Sequence, residues 1–293
     1  MMKYRSYKYM LLPVFILTGY GCEKYVPYVD PPAFEQKLVI TSFISPSDTV
    51  SYIYITSNQP AYGFHEQMEE PGDVTGSISD GTKEIQLDTT SSGLYFMNDQ
   101  MPIISGKTYT LKVSDSKGLY AEATTTIPKQ HEMMISVDTI IIVQEVPDYE
   151  PYIELRIFTE FTDIPDEKNY YSIAGRLTLF KTIDGSETLI HEGVVWFEEP
   201  YITDKDTDSD NKIKLETWIS ISYQYIFQNY DSAFLSIYLM NTEEAYYLYH
   251  TSIYENQYSD NPFSEVKPVY SNINGGFGIF TSYTIDSLVY RIK

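Results

Sequence analysis

From Lys37 onward one pattern recurs along the chain: apolar and polar residues alternate for a few positions and then meet a turn signal. Successive side chains of a strand point to opposite faces, so a period of two selects β-strands with one buried and one wet face and leaves little room for helix. Leu38, Ile40 and Ile44 fall opposite Val39, Thr41 and Phe43, and Ser45-Pro46-Ser47-Asp48 turns the chain into Val50 to Thr56. Asp80-Gly81 suits a tight hairpin turn between Val74 to Ser79 and Lys83 to Leu87. Tyr109, Leu111 and Val113 alternate with Thr108, Thr110 and Lys112, and Asp115 to Gly118 returns that segment as Leu119 to Thr126. About seven such segments precede Pro128, the strand count of a small immunoglobulin-like sandwich.

Ile127-Pro128-Lys129-Gln130 ends the first series, and longer segments follow. Ile153, Leu155, Ile157 and Phe161 alternate with Glu154, Arg156 and Glu160. Tyr171, Ile173, Leu177 and Leu179 line one face before Asp184-Gly185 turns the chain into Thr188 to Phe197, and Leu215 to Tyr225 and Ala233 to Leu239 add two more strands. A chain of 293 residues can bury two cores. The reading is mainly β: two β-sandwich-like (immunoglobulin-like) domains, over residues 37–128 and 129–293, with one α-helix near the C-terminus.

That helix interrupts the alternation. Asn241 with Glu244 three residues later matches a capping box, and Ala245, Leu248, Tyr249, Ser252 and Ile253 follow at helical spacing, which predicts a helix over about 242–258, ended by Pro262. Val266 to Tyr270 and Phe277 to Tyr283 then read as strands around Asn274-Gly275-Gly276, residues that tolerate positive φ.

The first stretch reads differently. Lys3, Arg5 and Lys8, the apolar run Met10 to Leu17, and Gly19-Tyr20-Gly21 before Cys22 have the order of a secretory leader over residues 1–21. Cys22 is the single cysteine, so it has no intrachain disulfide partner, and its position predicts acylation, palmitate included, at a mature N-terminus. An ordinary signal peptide with an incidental cysteine is the alternative. Residues 22–36, with Pro27, Pro31 and Pro32, read as an extended tether. No later run approaches the roughly 18 consecutive apolar residues of a membrane span, so the sequence predicts contact with a membrane through a lipid anchor.

Twenty basic against 41 acidic residues give a net charge of −21. Nucleic acid is excluded as a partner, because its recognition rests on Lys and Arg neutralising phosphates. Such a charge serves solubility, or attracts cations and cationic partners. Little in the sequence suits an enzyme. His65, His131, His191 and His250 are scattered without the spacing of a zinc protease helix, and neither a nucleophile elbow nor a phosphate-cradling glycine loop occurs. Glu198-Glu199 would point to opposite faces of a strand. Asp204, Asp206, Asp208 and Asp210 have calcium-like spacing, but an EF-hand loop would need Gly at Ser209 and Glu at Leu215, so the stretch reads as an acidic hairpin tip. No metal and no cofactor is expected.

Tyrosine is the compositional outlier, 29 of 293 residues, clustered at Tyr52-Tyr54, Tyr223-Tyr225 and Tyr246-Tyr247-Tyr249. Half-buried strands explain much of it, and a binding face is the other reading. The candidate interaction surface is Tyr246, Tyr247 and Tyr254 of the helix with Asn274, Gly275 and Gly276 of the following turn. The competing reading is that the glycines pack the last strands within the fold.

The runs Glu243 to Ile253, Asn261-Pro262-Phe263-Ser264-Glu265, Pro268 to Ile273 and Gly275 to Phe280 resemble the C-terminal signature of a Bacteroidota outer-membrane lipoprotein family labelled domain of unknown function 4249. The resemblance extends to Leu38-Val39-Ile40, Phe43-Ile44-Ser45-Pro46 and Ser79-Asp80-Gly81. It implies a β-rich lipoprotein of the outer membrane, on a face left open, that serves as an accessory or binding subunit beside a TonB-dependent transporter. It carries no catalytic residues over. An independent glycan- or peptide-binding or adhesion module is the alternative.

Overall fold

The computed structural model describes residues 33–60, 71–91, 93–97, 101–132, 134–144, 152–222, 230–257 and 267–292. The leader, Cys22, most of the tether, His65 and Pro262 lie outside the described residues. The alternating segments become strands. β1 (Leu38–Ile44) and β2 (Ser51–Ser57) bury every second side chain. They are followed by β3 (Val74–Ser79), β4 (Glu84–Gln86), β5 (Asp88–Ser91), β6 (Leu94–Met97), β7 (Thr108–Asp115) and β8 (Tyr120–Thr126). The longer strands are β9 (Ile135–Gln144), β10 (Tyr152–Thr162), β11 (Tyr170–Ile183) and β12 (Ser186–Val195). Short β13 (Tyr201–Thr203), then β14 (Lys212–Ser222), β15 (Ser232–Thr242), helix α1 (Glu244–Gln257) and β16 (Phe277–Arg291) complete the order.

One nine-stranded sheet runs β12-β11-β15-β16-β1-β2-β6-β5, with β13 attached to β11. Two smaller sheets, β4-β3-β7-β8 and β14-β10-β9, complete the sandwich-like layers. Leu38, Ile40, Ile53 and Ile55 of the large sheet share a core with Ile78, Leu111, Val113 and Ala121 of the first small sheet. Ile173, Leu177, Leu235 and Ile237 share another with Leu155, Ile157, Phe161 and Ile213. The fold is mainly β, as the alternation implies, with one α-helix near the C-terminus among the described residues.

The last strand belongs to both cores. Phe277 to Ser282 of β16 pair in parallel with Val39 to Ile44 of β1, and Tyr283 to Arg291 pair antiparallel with β15. Ile273 and Phe280 are buried in the first core, and Tyr290 and Ile292 pack against the second. A cut after residue 128 therefore misplaces residues 273–282, which complete the N-terminal layers. All the strands and the helix fall within one compact unit.

Each core holds a tyrosine whose ring is fully buried and whose hydroxyl bonds to groups just upstream, a backbone N–H among them. The Tyr109 hydroxyl donates to the Pro102 carbonyl at 3.0 Å and accepts from Ile104 N–H at 2.9 Å. That of Tyr171 donates to Asp163 Oδ1 at 2.6 Å and accepts from Ile164 N–H at 3.0 Å. Both sit near the start of a strand and pin the corner before it, as the tyrosine corner of immunoglobulin-like sandwiches does.

Two local expectations change. β15 continues through Asn241 and Thr242, which pair with Thr284 and Tyr283, so Asn241 is a buried strand residue and the helix begins at Glu244. Residues 267–270 form no strand; Tyr270 N–H donates to Ser252 Oγ of the helix at 3.0 Å instead.

The parallel pairing of β1 and β16 requires Gly278. Its φ is 100°, and a Cβ there would sit 2.0 Å from the Ile40 carbonyl oxygen. Gly81 has a similar φ of 84° with nothing within 4 Å of a Cβ. Gly81→Ala therefore meets backbone strain alone, about 1–3 kcal/mol, and Gly278→Ala adds a clash with buried backbone. Urea denaturation should show Gly278→Ala as the more destabilised of the two; equal losses would contradict the close approach.

Candidate functional site

The site is built around α1. The Glu243 carbonyl accepts from Tyr246 N–H at 3.0 Å, which opens the first turn where β15 ends. The Glu243 carboxylate reaches into the sheets, accepting from the hydroxyls of Thr125 and Thr281, the latter at 3.1 Å. Ser282 Oγ lies 2.8 Å from Thr125 Oγ1 and donates to the Thr126 carbonyl at 3.1 Å. Burial pushes the Glu243 carboxyl above its usual range, and the Thr125 and Thr281 hydroxyls oppose that shift. This group ties β8, β16 and the start of the helix together.

One face of α1 is packed. His250 lies between the rings of Phe43 and Tyr201, with centroids at 5.3 and 5.2 Å and interplanar angles of 26° and 16°. Tyr246 stands 4.3 Å away and Tyr249 meets His250 edge-on at 5.4 Å. His250 Nε2 is buried with no hydrogen-bond partner among the described residues, and burial lowers the imidazole to about 4. Tyr246 is only 9% exposed and burial pushes its hydroxyl up to about 12. It anchors the helix and is buried away from any contact surface, a correction to its place among the candidate residues. The spacing of residues 246 and 250, one helical turn apart, carries this face.

The flank of α1 is open. Tyr247, Thr251 and Tyr254 form one wall of a cleft of about 450 Å³ whose other walls include Glu198, Glu199 and Tyr201. The Tyr254 hydroxyl donates to the Glu198 carbonyl at 2.9 Å, and the Tyr247 ring leans on Tyr170 at 5.2 Å. Lys214 lines the cleft too, but its ammonium is held by Asp208 at 2.6 Å and Glu160 at 3.8 Å. Glu198 and Glu199 do not lie in a strand: the chain bends there, and both residues are exposed and line the same cleft. The signal that sets them apart was Pro200, which follows directly and disfavours ladder pairing.

Asn274, Gly275 and Gly276 do not line that cleft. Asn274 exchanges backbone hydrogen bonds with Glu122 of β8 at 2.8 and 2.9 Å. A Cβ at Gly275 would lie 2.6 Å from the Tyr120 carbonyl oxygen, and one at Gly276 equally close to that of Leu38. The structure thus separates the turn residues, which pack the last strand on the first core, from Tyr247 and Tyr254, which face the cleft.

The aspartate series has local partners. Asp206 caps the short 3-10 turn Asp204–Asp206 by accepting from Thr203 N–H at 2.7 Å. Asp208 accepts from Asp210 and Lys212 N–H and pairs with Lys214, which holds its carboxyl down at about 2. Among the described residues no group of three or more His, Cys, Asp or Glu side chains converges on a point where a metal ion could sit.

A family model described as "Domain of unknown function (DUF4249)" matches residues 23–288. No curated protein matches the chain. Among solved structures, trypsin-activated alpha-2-macroglobulin from Escherichia coli is similar at 10% identity and a TM-score of 0.23; the match spans 74% of this chain and 15% of that one.

The buried imidazole sets a pH dependence. An unfolded chain takes up a proton on His250 near pH 6.5, the folded chain near 4, so the unfolded state binds more protons between these values. The stability this neutral histidine contributes is complete above pH 6.5 and is lost as pH falls toward 4, by roughly 3 kcal/mol. His250→Phe should flatten that part of the stability profile relative to the parent, a comparison that cancels the titration of the carboxylates. Parallel profiles for the two proteins would contradict the burial of the ring.

Proposed function

The chain belongs to the DUF4249 family, and from that premise we propose that it is a non-enzymatic lipoprotein, anchored to the outer membrane through acylated Cys22, that works as an accessory or binding subunit of a TonB-dependent transporter. The observation that carries the anchor is the order of Lys3, Arg5, Lys8, the apolar run to Leu17 and the lone Cys22. About 15 residues separate that cysteine from the start of β1, enough for an extended tether to hold the sandwiches off a bilayer. The transporter link draws on the family resemblance. The binding part draws on the cleft, whose volume lies within the range of about 300–1,000 Å³ usual for ligand sites and whose aromatic walls are braced from behind. The same cleft favours a second reading, an independent module for glycans or peptides.

Cys22→Ala should move the protein from the membrane fraction to the soluble one and abolish incorporation of labelled fatty acid. A variant that stays with membranes, beside a parent that takes up no label, rules the anchor out. Gentle detergent extraction separates the two readings: a β-barrel partner recovered in stoichiometric amount supports the accessory role, and a lone protein carrying a glycan supports the independent module.

A further inference from the structure

We infer that the cleft beside α1 receives a positively charged group, the guanidinium or ammonium of a basic peptide segment. The inference deepens the binding reading above and rests on it only in taking the cleft for a ligand site; neither the lipid anchor nor the transporter enters. Three tyrosines and two glutamates line it together. Tyr201, Tyr247 and Tyr254 line the cleft with Glu198 and Glu199, and neither glutamate side chain has an ion-pair or hydrogen-bond partner among the described residues. The cation nearest to hand, Lys214, is already neutralised by Asp208 and Glu160.

The aromatic rings attract cations through the negative potential of their faces, and carboxylates at the rim add direct charge. The rings are also held in place: Tyr201 stacks on His250, Tyr247 leans on Tyr170, and the Tyr254 hydroxyl is tethered to the Glu198 carbonyl. A ligand therefore pays little to order these walls. An uncharged sugar seated in the cleft would strip water from Glu198 and Glu199 without bringing opposite charge, which is unfavourable for a carboxylate. A cation supplies that charge, and the net charge of −21 draws it toward the protein from a distance. At about 450 Å³ the cleft takes a long basic side chain with its flanking backbone, and is too small for a folded domain.

The test titrates the full-length protein, in detergent micelles at low salt, with a short acetylated glycine–arginine peptide, its lysine counterpart and its citrulline counterpart, which keeps the shape of arginine without the charge. The arginine peptide should bind at least about tenfold more tightly than the citrulline peptide, the scale of one desolvated cation–ring contact of about 1.4 kcal/mol. Glu198→Gln combined with Glu199→Gln should remove that preference while melting stays unchanged. Glu132→Gln combined with Asp138→Asn removes the same charge outside the cleft and should leave the preference intact. A lysine peptide as good as the arginine one supports a charge-based site; a weaker one supports a guanidinium-selective site. Equal affinity for arginine and citrulline peptides, or equal losses in the two double variants, overturns the inference. Binding of a neutral oligosaccharide that Tyr254→Ala abolishes, with no arginine preference, overturns the cationic class and leaves the cleft standing as a binding site.

Discussion

The parallel pairing of Phe277 to Ser282 with β1 is the constraint on which the rest of the structure depends. It brings the end of the chain beside its first described strand, and the same β-strand continues into the second set of layers by pairing with β15. Without it the large sheet would be two sheets, and Ile273 and Phe280 would leave the first core. Gly278 permits the approach, since no side chain fits against the Ile40 carbonyl. At the end of the parallel segment sits the buried knot of Glu243, Thr125, Thr281 and Ser282. A carboxylate there is unfavourable by burial, and it persists because hydroxyl donors from β8 and β16 meet it. Helix α1 starts from the same glutamate, so the placement of the cleft follows from the junction.

The abundance of tyrosine has no single explanation. Tyr109 and Tyr171 are structural corners, each with a buried ring and a hydroxyl that accepts from a backbone N–H a few residues upstream. Tyr246 closes the aromatic cluster around His250. Tyr52 and Tyr54 stand about half exposed on the outer face of β2, where large rings suit a pleated surface. Tyr247 and Tyr254 remain to form the cleft wall, braced by Tyr170 and by the Glu198 carbonyl. A phenol can serve each of these places because its ring fills apolar space while its hydroxyl finds one polar partner.

Much of this was legible in the sequence where the signal is local. The alternation at Leu38 to Ile44, Val50 to Thr56 and Thr108 to Val113 became strands in place, and Asp80-Gly81 turns between β3 and β4, with Asp80 Oδ1 accepting from the N–H groups of Thr82 and Lys83. The helix lies within two residues of its expected start because its apolar spacing is local as well. What stayed hidden is long-range. Nothing near Phe277 says that its partner is Val39, so the division after residue 128 missed the shared strand. Asn241 resembles a helix cap until β16 pairs with it. Tyr246 and Tyr247 are adjacent in sequence, yet one is core and the other lines a cleft, because helical geometry turns neighbours onto different faces. Glu198 and Glu199 face the same cleft only because the chain bends before Pro200.

One strand, β16, joins the two cores into a single cooperative structure. Native-state hydrogen exchange of the β1 and β15 amides, followed in increasing urea below the unfolding transition, addresses it most directly, since such exchange resolves cooperative units by their opening free energies. The slowest amides of both strands should open with the same free energy and the same urea dependence, because losing β16 removes one ladder from each and uncovers both cores. Separate openings, with β1 or β15 retaining protection after the other has lost it, would contradict it.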